Sequence, residues 1–156
     1  MVSRIEDSIE VNVPVHTAYD QWTQFESFPE FMEGVKSVTQ LDDRHIHWVA
    51  KIGGKTEEWD AEITHQEPDQ RIAWSSTTGA RNAGAVKFRS LGADRTEVSL
   101  EMMVEPQSTT EKVGTALGFD DRQVKEDLKK FKQFIESRGH ETGAWRGKVN
   151  PVDHPR

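Results

Sequence analysis

The chain contains no cysteine. Disulfides, thiolate nucleophiles and cysteine-ligated metal sites are therefore excluded, and the absence of disulfide staples fits a reducing interior. It also lacks a long apolar run at its start. The first ten residues, MVSRIEDSIE, carry a charge every few positions and read neither as a signal peptide nor as a membrane span, so a soluble, cytoplasmic protein is expected. Basic charge is scarce: 20 Lys and Arg against 27 Asp and Glu give a net charge of −7. The cations are scattered or lie on the outer face of one helix, which argues against nucleic-acid binding through phosphate neutralisation. No nucleophile elbow, phosphate-cradling glycine loop or zinc signature is present, and neither a metal nor a cofactor is implied. Tyrosine occurs once, whereas tryptophan occurs five times. At 156 residues the chain fits one domain, with no internal repeat or linker.

The strongest single signal is the segment Asp120 to Arg138. Val124, Leu128, Phe131 and Ile135 recur at steps of four, three and four, which places them on one stripe of a helix. Lys125, Lys129, Lys132 and Glu136 are expected on the opposite face, with Asp121 to Lys125 and Glu126 to Lys130 as exposed acid-first pairs. Gly139 follows as the natural stop. Such a helix runs about 28 Å, enough to cross a whole sheet.

Upstream the period is two. Ser3 to Val13 alternates Ile5, Ile9, Val11 and Val13 against polar residues and reads as a half-buried strand. Pro14 stops it, and Val15 to Phe25 reads as a short helix with Ala18, Trp22 and Phe25 near one face. Glu26 to Met32 forms a second short helix or turn. Six more strands follow: 37–41, 45–52, 55–66, 71–77, 83–91 and 96–104. Gly53-Gly54 marks a hairpin and 79–84 a loop. Ser108 to Glu111 has the form of a capping box for a weak helix over 112–117. The order predicts an α+β fold: a seven-stranded antiparallel sheet wrapped around a long C-terminal helix, with two short helices after the first strand. Residues 1–139 form the domain and 140–156 a tail whose last eight residues or so are expected to be disordered.

This order, together with SIEVNVPVHTAYDQWTQFESFPEFMEGVKSV near the start and VKEDLKKFKQFIESRG near the end, resembles the polyketide cyclase/dehydrase and coenzyme Q-binding START-like proteins of the SRPBCC superfamily, which share the helix-grip fold. ETGAWRG is similar to tails of bacterial members. The resemblance covers roughly Ser3 to Gly139. It implies a cavity between the concave sheet face and the last helix, opening near the short helices. Periodicity alone shows only that a sheet face and a helix face are buried against each other.

Trp48, Trp59 and Trp74 share the inward parity of their strands. With Trp22, Ser76, Phe88, Leu100, Met102, Val124, Leu128 and Phe131 they would line that cavity as an apolar, aromatic wall suited to a quinone, lipid or polyketide-like ligand. The alternative is a plainly filled core. Asp7 and Glu57 fall on an apolar parity. A buried carboxylate there could act as general acid or base in a dehydration, and a bulge or register shift near a strand end would instead return it to water. His45 and His47 stand two apart on the outer parity and read as a surface pair rather than a metal site. Arg71, Lys87 and Arg89 are expected on the convex face; a register shift in the sixth strand would turn Lys87 or Arg89 into the cavity. Trp145 is either a docked plug or a free ring. Three functions stay open: a carrier of a small hydrophobic ligand, a polyketide aromatase/cyclase acting in the same cavity, and a protein-interaction module like the ribosome-associated toxin-type members.

Overall fold

The computed structural model describes residues 3–52, 55–78, 81–104, 121–145 and 147. Strand β1 (Ser3–Val11) is followed by helix α1 (Val15–Trp22) and a 3-10 helix (Phe25–Glu30). Strands β2 (Val35–Gln40), β3 (His45–Ile52), β4 (Lys55–Glu67), β5 (Arg71–Ser76), β6 (Asn82–Gly92) and β7 (Arg95–Val104) come next, and helix α2 (Asp121–Arg138) comes last. All neighbouring strands are antiparallel, in the order β1-β7-β6-β5-β4-β3-β2. This is the expected seven-stranded helix-grip architecture. The helix anticipated at 112–117, the glycine pair at 53–54 and the end of the tail lie outside the described residues; on either side of that pair, Ile52 and Lys55 are paired.

Alternation dictates which face is dry. Ile46, Trp48 and Ala50 of β3 and Trp59, Ala61 and Ile63 of β4 are all nearly inaccessible, and they meet the α2 stripe Val124, Leu128, Phe131 and Ile135, none more than 1% exposed. Burying each large apolar side chain contributes about 1.5–3 kcal/mol. Three register shifts break the alternation, the first in β2 between Val35 and Ser37, the second in β4 between Ile63 and His65 and the third in β6 between Ser90 and Gly92. The second brings Gln66, beyond Ile63, back to the dry side, opposite Ile72.

Several local expectations are corrected. Helix α1 ends at Trp22 instead of Phe25, because the Thr23 hydroxyl donates to the Asp20 carbonyl at 2.5 Å and closes the last turn. Every residue from Thr17 to Trp22 is buried, so α1 has no single apolar face. Gly84 belongs to β6, where it pairs with Trp74 and Met102. The lysines of the pairs foreseen along α2 make tertiary contacts: Lys130 reaches Glu33 at 3.1 Å and Lys125 reaches Asp7 at 3.2 Å. Lys132 and Glu136 also leave the solvent face. Lys132 donates to the Glu10 carbonyl at 2.9 Å, Glu136 accepts the Asn12 N–H at 2.7 Å, and the two side chains pair at 2.7 Å. They tie the C-terminal half of α2 to the end of β1. Gly139, at φ +78°, ends the helix as its position predicts.

Past Gly139 the chain turns back over α1. Gln21, itself fully buried, accepts the Thr142 N–H at 2.9 Å and donates to the Thr142 hydroxyl at 3.1 Å. Trp145 donates its backbone N–H to the Thr23 hydroxyl at 3.1 Å, and its half-buried ring packs on the core. Trp145 is therefore docked.

Candidate functional site

The concave face carries a continuous aromatic layer. Trp48 and Trp59 are direct cross-strand partners whose rings stack at 5.8 Å with an interplanar angle of 8°, and Trp74 lies 5.6 Å from Trp48. Phe28 of the 3-10 helix bridges Trp48 and Trp74 to Trp22, at 5.7, 6.4 and 5.2 Å. Trp22 and Phe31 in turn contact Phe131 of α2, each at 5.2 Å. The short helical segments thus join sheet and helix through rings in edge and offset geometry. Gly84 makes the layer possible: a Cβ there would come within 2.5 Å of the Trp74 ring and 3.0 Å of Met102 Sδ.

Within this dry wall the indole N–H groups of Trp22, Trp48 and Trp59 have no acceptor among the described residues, and neither has the buried Gln66 Oε1 a donor. An unmatched buried donor costs about 1–3 kcal/mol. Tryptophan offers a donor and no acceptor.

The remaining sequence candidates fall as follows. Phe88, Leu100 and Met102 are buried on the same face as the tryptophans. Ser76 is half-buried at the end of β5, where its hydroxyl accepts the Asn82 N–H at 3.0 Å. Asp7 keeps its inward parity, but β1 is an edge strand, and its carboxylate meets Lys125 beside α2 with about 31% of the side chain exposed. Glu57 is half-buried opposite Ala50. Pairing is unbroken at both positions, so the water they see comes from the margin of the sheet and not from a bulge. Lys87 and Arg89 point outward, as the alternation of β6 requires.

Sequence reasoning missed Asp127. It sits three residues after Val124 and four before Phe131, inside the apolar arc, and is only 3% exposed. Its Oδ1 accepts from Gln123 Nε2 at 2.7 Å and the carboxyl also accepts the Glu33 backbone N–H. Burial pushes its pKa up to about 6, against the opposing pull of those hydrogen bonds and of Lys130. The signal was a polar residue at a helical position that the stripe encloses.

On the outer face, His47 Nδ1 lies 2.6 Å from Asp60 and Nε2 3.0 Å from Glu58. The hydrogen bond to Asp60, more than the one to Glu58, raises its pKa above the ordinary histidine value. The partners are across the strand, opposite or diagonal in register, which sequence spacing does not display. Among the described residues no cluster of His, Asp and Glu has the arrangement of a metal site.

A concave seven-stranded sheet closed by one long helix over an aromatic layer defines a START-like helix-grip protein. Residues 11–133 match the family described as polyketide cyclase / dehydrase and lipid transport, and the chain belongs to that family. An uncharacterized 17.2 kDa protein from Streptomyces lincolnensis is 56% identical over 149 residues, covering 95% of this chain and 99% of the relative. Among solved structures, a START superfamily protein from Mycobacterium smegmatis superposes with a TM-score of 0.76 at 14% identity, covering 86% of this chain and 98% of that one. The Zhui aromatase/cyclase from Streptomyces sp. R1128 superposes with a TM-score of 0.72 at 14% identity, covering 93% and 100%. At such identities the two structures establish the fold. No helix among the described residues is long and apolar enough to cross a membrane.

Proposed function

We propose that this protein binds a small, flat, hydrophobic molecule bearing carbonyl oxygens, of the quinone or polyketide-like kind, between the concave sheet face and α2. The observation that carries this reading is the set of three buried indole donors, on Trp22, Trp48 and Trp59, left without acceptors in a wall whose other unmatched group is the Gln66 carbonyl. Ring faces favour a flat partner, and donors without acceptors favour one that supplies oxygen lone pairs. A plain acyl chain would leave all three unmatched. Family membership supports the same class of ligand.

The test is native mass spectrometry of the freshly purified chain, followed by titration with naphthoquinone and with naphthalene while tryptophan fluorescence is read. The quinone should bind more tightly, by roughly tenfold for each indole bond that it completes. Equal affinity for the two would refute the donor argument, and a mass that stays bare after incubation with quinones, lipids and aromatic polyketides would refute ligand binding altogether.

A second reading, dehydrating cyclisation of a poly-β-ketone, is favoured by Asp127, the one carboxyl among the described residues held near a pKa of 6. A general acid works best with a pKa near the working pH. Unchanged turnover of a polyketide substrate in Asp127→Asn would exclude that assignment.

A further inference from the structure

The convex face holds a groove of about 430 Å³ lined by Gln70, Arg71, Lys87, Phe88, Arg89, Glu97 and Ser99, on the far side of the sheet from the aromatic layer. Its centre is a cross-strand row in which Arg71 of β5, Lys87 of β6 and Ser99 of β7 are consecutive register partners. Two like charges placed directly opposite each other destabilise a sheet. Carboxylates offset only part of that cost. Glu67 pairs with Arg71 at 3.6 Å from Nε, within ion-pair range but too long for a hydrogen bond, so that N–H has no acceptor. Lys87 has no ion pair and the Ser99 hydroxyl no hydrogen bond among the described residues. Arg89 is hydrogen-bonded to a carboxylate, to Glu97 Oε1 at 3.0 Å through Nε and at 2.8 Å through a terminal nitrogen. The charge of Arg71 reaches further still: after burial, it is the next cause that holds the His65 pKa below its ordinary value. Lys87 and the Ser99 hydroxyl are thus donors without partners among the described residues, beside an Arg71 guanidinium that Glu67 holds at ion-pair but not hydrogen-bond distance, on strands about 4.8 Å apart.

We infer that this row, Arg71, Lys87 and Ser99, is a binding site for a phosphate-class oxyanion, separate from the hydrophobic site on the concave face. A tetrahedral dianion between the two cations removes their repulsion and accepts charge-assisted hydrogen bonds from both, with the serine hydroxyl as a third donor. The phosphate belongs either to a soluble ester or to a lipid headgroup, and the two sources are separable by experiment.

The test is amide NMR of the full chain titrated with inorganic phosphate against chloride at matched ionic strength, alongside sedimentation with phosphatidylcholine vesicles with and without phosphatidate. Saturable shifts at Gln70, Lys87, Phe88 and Ser99 are expected. They should weaken roughly tenfold or more in the Arg71→Gln/Lys87→Gln double variant. The Lys36→Gln/Lys51→Gln variant, with the same change in net charge elsewhere, should behave as the parent. Co-sedimentation only with phosphatidate, lost in the first variant, assigns the site to a lipid headgroup; saturable phosphate shifts without co-sedimentation assign it to a soluble ester. Shifts that grow linearly with phosphate, or that are alike in both variants, overturn the site.

Discussion

Replacing Asp127 with asparagine isolates the energetic consequence of one buried carboxyl. Its pKa is raised from 3.8 to about 6, with burial as the leading cause. A carboxyl with a raised folded-state pKa binds its proton more tightly folded than unfolded. Its contribution is fully present below the unfolded value and is lost as pH rises through about 6. At 1.36 kcal/mol per pH unit, the shift corresponds to about 3 kcal/mol lost between about pH 4 and pH 7. Asparagine has nearly the same shape, does not titrate and can still accept from Gln123. Its amide nitrogen does not accept the Glu33 N–H, which costs about 1 kcal/mol at every pH. The stability difference between variant and parent should therefore move by about 3 kcal/mol in favour of the variant from pH 4 to pH 7.5, whatever its starting offset. Urea melts at half-unit pH steps read this directly, because every other titrating group is common to both proteins. A difference that stays flat across that window refutes the burial of an ionisable Asp127.

Gly84→Ala should destabilise the fold by about 1–3 kcal/mol, since its methyl meets the Trp74 ring with no space to yield; a thermal melt and a changed near-UV tryptophan spectrum check it. The ring protons of His47 should titrate above 6.5 by NMR, and Asp60→Asn should bring the midpoint down. The stability that His47 lends is fully present below 6.5 and lost as pH rises through its raised value, so the fold should weaken slightly on the alkaline side of that point. Gln21→Ala removes both bonds to Thr142 and should release the segment carrying Trp145, seen as faster hydrogen exchange over 140–145 at a stability cost of about 1–2 kcal/mol.

Much of this fold could be read from periodicity, because one-sided elements advertise their dry face. Trp48, Trp59 and Trp74 were placed correctly by alternation alone, and Val124 to Ile135 by the helical step. Errors arose where a contact is set by a distant strand. Lys130 looks like the partner of Glu126 along the helix, yet it reaches Glu33, whose position depends on the fold of the preceding loop. Gln66 was invisible as a core residue because the bulge after Ile63 resets the parity of β4. Gly84 looked like loop, since a missing side chain carries no record of the indole that crosses it. At the site, the aromatic content was legible, but the unmatched indole hydrogens were not. Whether a donor finds an acceptor depends on rotamer and neighbours, which a linear pattern does not contain.

The return of the chain over α1 bears on where this protein can be cut. A polypeptide stopped after Gly139 would keep every strand and both helices. It would nonetheless take from the Gln21 amide, fully buried in the intact chain, both of its hydrogen bonds to Thr142, and would uncover the apolar surface under Trp145. These bonds join positions more than a hundred residues apart, so they close a loop that takes in the whole sheet and α2. A protease acting just beyond Gly139 would therefore do more than trim an end: it would remove the clasp that holds the C-terminal segment to α1.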